Sequence, residues 1–99
     1  MIYYVDVDDT LIRTVGTKAI PIPQTLRWLK SLDMTSHQLF LWSRGGSDYA
    51  KGIAVSLGIE SLFTAFLPKP DVMVDDQGLS DWTHMRQIHP NQLRSGDPA

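Results

Sequence analysis

The chain has 99 residues, 42% of them hydrophobic and 20% charged, the balance of one ordinary globular domain. It contains no cysteine, which excludes disulfides, thiolate metal sites and a cysteine nucleophile. A formal net charge of −2 gives no electrostatic footprint for nucleic acid or an anionic membrane, and weakens a nucleic-acid substrate without excluding one.

Residues 2–7 (IYYVDV) are mostly β-branched or aromatic and predict a buried strand. No basic n-region precedes them, so the cytoplasm is the expected location. Apolar runs fall far short of the ~18 residues of a membrane span, and no membrane partner is expected. Three carboxylates, Asp6, Asp8 and Asp9, then fall within four positions. A turn needs one such residue for its local hydrogen bonds. Three so close repel by about 3 kcal/mol per pair, at about 5 Å and an effective dielectric of about 20. A bound cation is the natural offset.

Residues 12–23, with Gly16 and the Pro21-Ile22-Pro23 triplet, predict a short irregular hairpin or loop. Pro23 opens a helix running to about Asp33, with Leu26, Leu29 and Leu32 on its core face. Residues 37–43 (HQLFLWS) predict a second strand. Ser47 is placed to cap a second helix with Asp48 in its first turn. Ala50, Ile53, Ala54 and Leu57 supply that helix's core face, and Gly58 its end. A third strand is predicted at 63–67 and a short fourth at 72–74, ending in Asp75-Asp76. Residues 82–88 read as a helical turn or a short edge strand. A single domain then spans 1–94, with 95–99 as a frayed tail. The order β, α, β, α, β, β indicates an α/β fold with a mostly parallel sheet flanked by helices.

In an open parallel sheet, ligands bind outside the carboxyl ends of the strands. Asp6-Val7-Asp8-Asp9-Thr10 ends the first predicted strand, and Ser43-Arg44-Gly45-Gly46 leads from the second into a helix. Lys69 precedes the fourth and Asp75-Asp76 close it. Carboxylates, a hydroxyl, a cation and backbone N–H groups on one rim are an inventory for phosphate and Mg²⁺. Asp6 and Asp8, at i and i+2, point the same way about 6.7 Å apart in extended chain. One can act as nucleophile and the other as proton donor at opposite ends of a reacting group.

These segments carry a resemblance. Asp6-Val7-Asp8-Asp9-Thr10-Leu11 matches the DxDx(T/V)(L/V) signature of the haloacid dehalogenase-like (HAD) superfamily of phosphohydrolases. Leu39-Phe40-Leu41-Trp42-Ser43 is similar to its second motif, Lys69 in Lys69-Pro70 to its third, and Val72-Met73-Val74-Asp75-Asp76 to its fourth. All four stand in family order over residues 2–76. The resemblance implies a three-layer, Rossmann-like domain with a small central sheet. It makes Asp6 the nucleophile that becomes an aspartyl-phosphate and Asp8 the acid and then the base. Ser43 would bind the phosphoryl oxygens; Arg44, next to it, is read from its own chemistry as a further phosphate-binding candidate. Lys69 would hold Asp6 and neutralise developing charge. Mg²⁺ would be held by Asp6, the backbone carbonyl of Asp8 and most simply Asp75, with Asp76 behind it. The presence of Asp8 argues against the carbon–halogen branch, which lacks that acid.

Only residues 12–38 separate the first two motifs, which leaves no room for a cap domain. A capless, minimal member is expected, open to a phosphorylated small molecule or an exposed macromolecular phosphate, or lidded by a second copy of itself. A catalytically weak module that binds a phosphorylated partner is the alternative, as is phosphoryl transfer to an acceptor other than water. Receiver domains combine similar residues but place the lysine last, so their order does not fit. Lys18 and Lys51 rank below Lys69. Asp9 is expected to be an exposed spacer and Thr10 to make a local turn bond. His37, His84 and His89 share no metal-ligand spacing and read as surface or packed residues. Trp28 and Trp42 read as packing residues, while Trp82 and His84 are close enough to the fourth motif to border the site.

Overall fold

The computed structural model describes residues 1–94, so the tail expected at 95–99 lies outside the described residues. Its elements are β1 (Ile2–Asp6), β2 (Ile12–Val15), β3 (Lys18–Pro21), α1 (Pro23–Ser31), β4 (Gln38–Ser43), α2 (Ser47–Ser56) and β5 (Ala65–Pro68). Strands β1, β4 and β5 form a three-stranded sheet in that order. Its pairings are parallel throughout, from Ile2↔Gln38 to Asp6↔Trp42 and from Phe40↔Ala65 to Ser43↔Pro68. This is a small α/β fold with two helices.

Period-two burial along β4 shows how the sheet is used. Leu39, Leu41 and Ser43 are buried, whereas Gln38, Phe40 and Trp42 are not. The buried leucines join Val5, Trp28 and Leu29 of α1, and Ala50 and Ala54 of α2, in one core. Successive parallel strands advance in one direction, and right-handed crossovers put both helices on the same face. On the other face the Tyr4 ring lies 5.1 Å from Phe40 and 5.0 Å from Trp42, and Tyr4 stays half exposed. The three layers expected from the sequence are therefore two among the described residues. Pro68 and Pro70 interrupt the chain after β5, and from there to residue 94 the only helical pieces are the 3-10 turns Leu79–Asp81 and Pro90–Gln92.

Pro23 opens α1 as expected, and Leu29 and Leu32 are buried. Thr25 and Trp28 are buried with them, while Leu26 is only partly covered. The helix stops at Ser31, short of Asp33, because the Asp33 carboxylate competes for the chain. It accepts hydrogen bonds from the Thr35 N–H (3.0 Å), the Thr35 hydroxyl (2.7 Å) and the Ser36 hydroxyl (3.2 Å). At α2 the cap is Gly46, not Ser47, which is the first helical residue. Gly46 sits at φ 101, a conformation suited to glycine, and its carbonyl accepts from the Ala50 N–H at 3.1 Å. Gly58, at φ 70, ends that helix as expected.

Four expectations need correction. Residues 12–23 are not irregular: β2 and β3 pair antiparallel from Ile12↔Pro21 to Val15↔Lys18, turning at Gly16 with φ 62. The third strand begins at Ala65, because Phe63 is drawn into the core behind the 3-10 turn Glu60–Leu62. The fourth strand at 72–74 does not form. Val72 and Val74 are 79% and 95% exposed, and no ladder receives them. Residues 82–88 are neither helix nor strand, and Trp82 stacks on His84 instead. The chain then returns to α1, where the Gln24 side-chain amide donates to the carbonyls of Asn91 (3.2 Å) and Leu93 (2.7 Å), and Leu93 enters the core. Among the described residues no helix is long and apolar enough to cross a membrane.

The Asp33 turn has a predictable pH signature. Hydrogen bonds from the Thr35 side chain, the Thr35 backbone and Ser36, in that order, with a smaller contribution from the His37 charge, hold its carboxyl below the ordinary aspartate range. A depressed folded pKa contributes stability above the unfolded value of about 3.9, and that contribution is lost as pH falls through the folded value. Asp33→Ala is expected to melt a few degrees below wild type at neutral pH, with the gap shrinking as pH falls below about 4. Thermal denaturation of both proteins across an acid pH series measures it.

Candidate functional site

The acidic stretch leaves β1 through a tight turn built on one carbonyl. The N–H groups of Thr10, Leu11 and Ile12 all donate to the Val7 carbonyl, at 3.3, 2.9 and 3.1 Å. Asp9 occupies the left-handed region at φ 62, which aspartate tolerates better than most residues, and its N–H donates to the Ile12 carbonyl at 2.7 Å. Val7, Leu11 and Ile12 are buried, so the turn is anchored from within while the carboxylates face outward. The Thr25 hydroxyl of α1, fully buried, donates to the Thr10 carbonyl at 2.6 Å and ties helix to turn.

Each carboxylate then meets a different partner. Lys69 Nζ lies 3.1 Å from Asp6 Oδ1, with both side chains about one-third exposed. The Thr10 hydroxyl donates to Asp6 Oδ2 at 3.2 Å. The Tyr49 hydroxyl, from the first turn of α2, donates to Asp8 Oδ1 at 2.8 Å. Asp9 is exposed, the spacer that was expected. Strand register explains the first pairing: Asp6 is level with Trp42, and Trp42 with Leu67. Lys69, two residues beyond Leu67, projects to the same side. Its ammonium also lies 5.6 Å from the centre of the Trp42 ring.

Ser43 ends β4 at the same rim and is buried. Its hydroxyl oxygen accepts the Gly45 N–H at 3.0 Å and keeps its own proton to donate. Its carbonyl accepts the N–H groups of Gly46 (3.1 Å) and Lys69 (2.9 Å), which fixes the lysine backbone to the end of β4. The Tyr49 phenol is pushed above its ordinary range, chiefly by its hydrogen bond to Asp8, then by burial and by the charges of Asp8 and Asp6. One hydroxyl therefore feels both acids.

Asp6, Asp8, Ser43 and Lys69 thus lie at the strand ends or just past them on one rim, while Arg44 and Asp75 contact other partners and Asp76 is exposed. Arg44 is 78% exposed, and its guanidinium is 4.0 Å from Asp71, a surface pair of little energetic weight. Asp75 Oδ1 accepts the Gln77 N–H at 2.9 Å, closing its own exposed turn. With no strand at 72–74, nothing carries the paired acids toward β1. Among the described residues no group of three or more histidine or acidic side chains is arranged to hold a metal. His37 lies beside Tyr3 and the N-terminus, and His89 caps the last 3-10 turn. Trp82 and His84 contact each other.

Two contributors were not read from the sequence. Thr25 lies three and four residues before Trp28 and Leu29, so its place on the buried face of α1 was legible, although its partner was not. Tyr49 had no local signal, since its partner Asp8 lies on a distant segment. Thr10 was expected to make only a local turn bond, and it also holds the Asp6 carboxylate.

Thr25→Val keeps the side-chain shape and deletes the hydroxyl, leaving the Thr10 carbonyl without its partner. It is expected to cost about 1–3 kcal/mol in urea unfolding, and Thr25→Ser is expected to restore most of that loss. Comparison of the chain with protein-family models, with curated proteins and with solved structures found no match.

Proposed function

We propose that this chain is a minimal, capless HAD-like phosphomonoester hydrolase that works through an aspartyl-phosphate. The observation that carries this reading is the meeting of Asp6 and Lys69 at 3.1 Å, from opposite edge strands of the sheet, on the rim where Asp8 follows Asp6. On this reading the three-stranded sheet is the reduced centre of a Rossmann-like domain, smaller than a full domain of that family.

The chemistry follows from the placement. An Asp6 oxygen attacks phosphorus while the bond to the leaving oxygen breaks, and Asp8 gives that oxygen its proton. Lys69 offsets negative charge gathering on the phosphoryl group, and the Ser43 hydroxyl donates to one of its oxygens. Asp8, now ionised, takes a proton from water, which attacks the phosphorylated Asp6 and releases inorganic phosphate. Each oxygen of Asp6 has one protein partner. A carboxylate oxygen has two lone-pair sites, so one on each remains for the reaction. Mg²⁺ belongs to the proposal as an added requirement, and no step above is routed through it.

The exposed placement of Asp75 and Asp76 favours a second reading, a weakly active or inert module that binds a phosphorylated partner. Both readings are tested by turnover of p-nitrophenyl phosphate with and without Mg²⁺. Under the first, wild type turns over, Asp6→Asn falls to background, and Asp8→Asn loses about 10²–10⁴-fold. Activity that survives Asp6→Asn excludes Asp6 as nucleophile. Absence of turnover across a panel of phosphoesters, with a phosphorylated peptide or nucleotide still bound, supports the second. Recovery of phosphate on an added alcohol in place of water identifies a phosphotransferase.

A further inference from the structure

We infer that Tyr49 is a positioning residue that sets the orientation of Asp8 for proton transfer to the leaving group, and that Gly45 is the slot that seats it. This rests on the hydrolase reading and adds to it a residue and a division of labour.

Asp8 is exposed and lies beyond the end of β1, so neither the sheet nor the core holds its side chain. Its side-chain anchor is the Tyr49 hydroxyl, which donates to Oδ1 at 2.8 Å. With Oδ1 held, Oδ2 is the oxygen left to carry a proton to and from the site. The phenol is suited to this task. It is a neutral donor with two side-chain torsions, projected from the first turn of α2. That helix is fixed to the core through Ala50, the next residue. A long charged side chain in its place would lose more conformational freedom on being fixed.

Gly45 supplies the second, independent observation. A Cβ built at this position would lie 2.8 Å from Tyr49 Cδ2 and 3.1 Å from Tyr49 Cγ. No positive φ requires glycine here, in contrast to Gly46 next to it. The requirement at residue 45 is space for the Tyr49 ring. The Gly45 N–H also donates to the Ser43 hydroxyl oxygen. A continuous series of contacts therefore runs from Ser43 through Gly45 and the Tyr49 ring to Asp8, linking the phosphoryl-binding hydroxyl to the proton donor.

A misoriented acid slows departure of poor leaving groups far more than good ones, because a good leaving group departs without a proton. The test is kcat/KM for a series of phosphomonoesters, from alkyl phosphates to p-nitrophenyl phosphate, in wild type, Tyr49→Phe, Gly45→Ala and the double variant. Tyr49→Phe keeps the ring and removes only the hydroxyl. It is expected to lower kcat/KM about 10-fold for alkyl phosphates, a fraction of the factor that general acid catalysis supplies, and by a much smaller factor for p-nitrophenyl phosphate. The plot of log kcat/KM against leaving-group pKa steepens accordingly. Gly45→Ala is expected to steepen it likewise, with the double variant well short of the product of the two effects. Thermal melts check folding, and if Gly45→Ala fails to fold, Tyr49→Phe decides alone. A slope unchanged in Tyr49→Phe, whether or not all rates fall together, overturns the inference and leaves the hydrolase reading intact. A wild type that hydrolyses no ester in the series overturns both, by a readout that cannot be mistaken for an unchanged slope.

Discussion

Parallel pairing of β1, β4 and β5 is the constraint from which the site follows. A parallel strand cannot return through a tight hairpin, so the chain must cross back over the sheet each time, here through α1 and α2. All three strands then end on one rim. The residues just past those ends are gathered whatever their separation in the chain. Asp6 and Lys69 meet because β1 and β5 flank the same central strand, and Ser43 joins them because it ends that strand. Placement of these side chains is a consequence of topology, and the core holds that topology in place.

The crowding of acids at the end of β1 is resolved locally. The turn on the Val7 carbonyl carries the three side chains to different surroundings: Asp6 meets a cation and a hydroxyl, Asp8 a phenol, and Asp9 is left exposed. The Asp6–Lys69 pair is about one-third exposed. Solvent screening limits such a pair to about 1 kcal/mol or less of stability. Stability is therefore a poor reason for its existence. A partly exposed pair keeps both charges within reach of solvent and of any ligand, which a fully buried pair would not.

What the sequence disclosed followed from local physics. The acidic stretch, the buried alternation of β4 and the alanine face of α2 were each visible as a pattern within a few residues, and they brought Asp6, Asp8 and Ser43 to one end of the sheet on paper. Lys69 is placed on that rim by its position before the predicted fourth strand and by the resemblance, while its actual geometry depends on strand register that no local pattern reveals. The fourth strand failed for the complementary reason. Val72-Met73-Val74 has β propensity, but propensity for a strand is largely a fit to a partly buried surface. No neighbouring strand presents one to it. Thr25 and Tyr49 were missed because each acts on a residue distant in the chain, the Thr10 carbonyl and the Asp8 carboxylate. The separation of helix end from helix pattern at Ser31 had a local cause in Asp33, where side-chain hydrogen bonds outweighed the apolar repeat.

The division between residues on the rim and residues off it also has a backbone origin. Lys69 lies between Pro68 and Pro70, and a residue preceding proline is held in extended conformation. Pro68 has its own φ fixed by its ring. Lys69 therefore continues the direction of β5 with little freedom, and its N–H is bound to the Ser43 carbonyl. Its side chain reaches Asp6 from a backbone already in place, so little entropy is lost in forming the contact. Beyond Pro70 no such restraint operates. Asp75 and Asp76 lie on an exposed stretch whose side-chain bond closes its own turn. An ion pair fixed in advance and a second acidic pair left on an exposed stretch are what this arrangement of prolines produces. The Asp6–Lys69 contact is built into the fold, whereas the Asp75 carboxylate is engaged by its own turn.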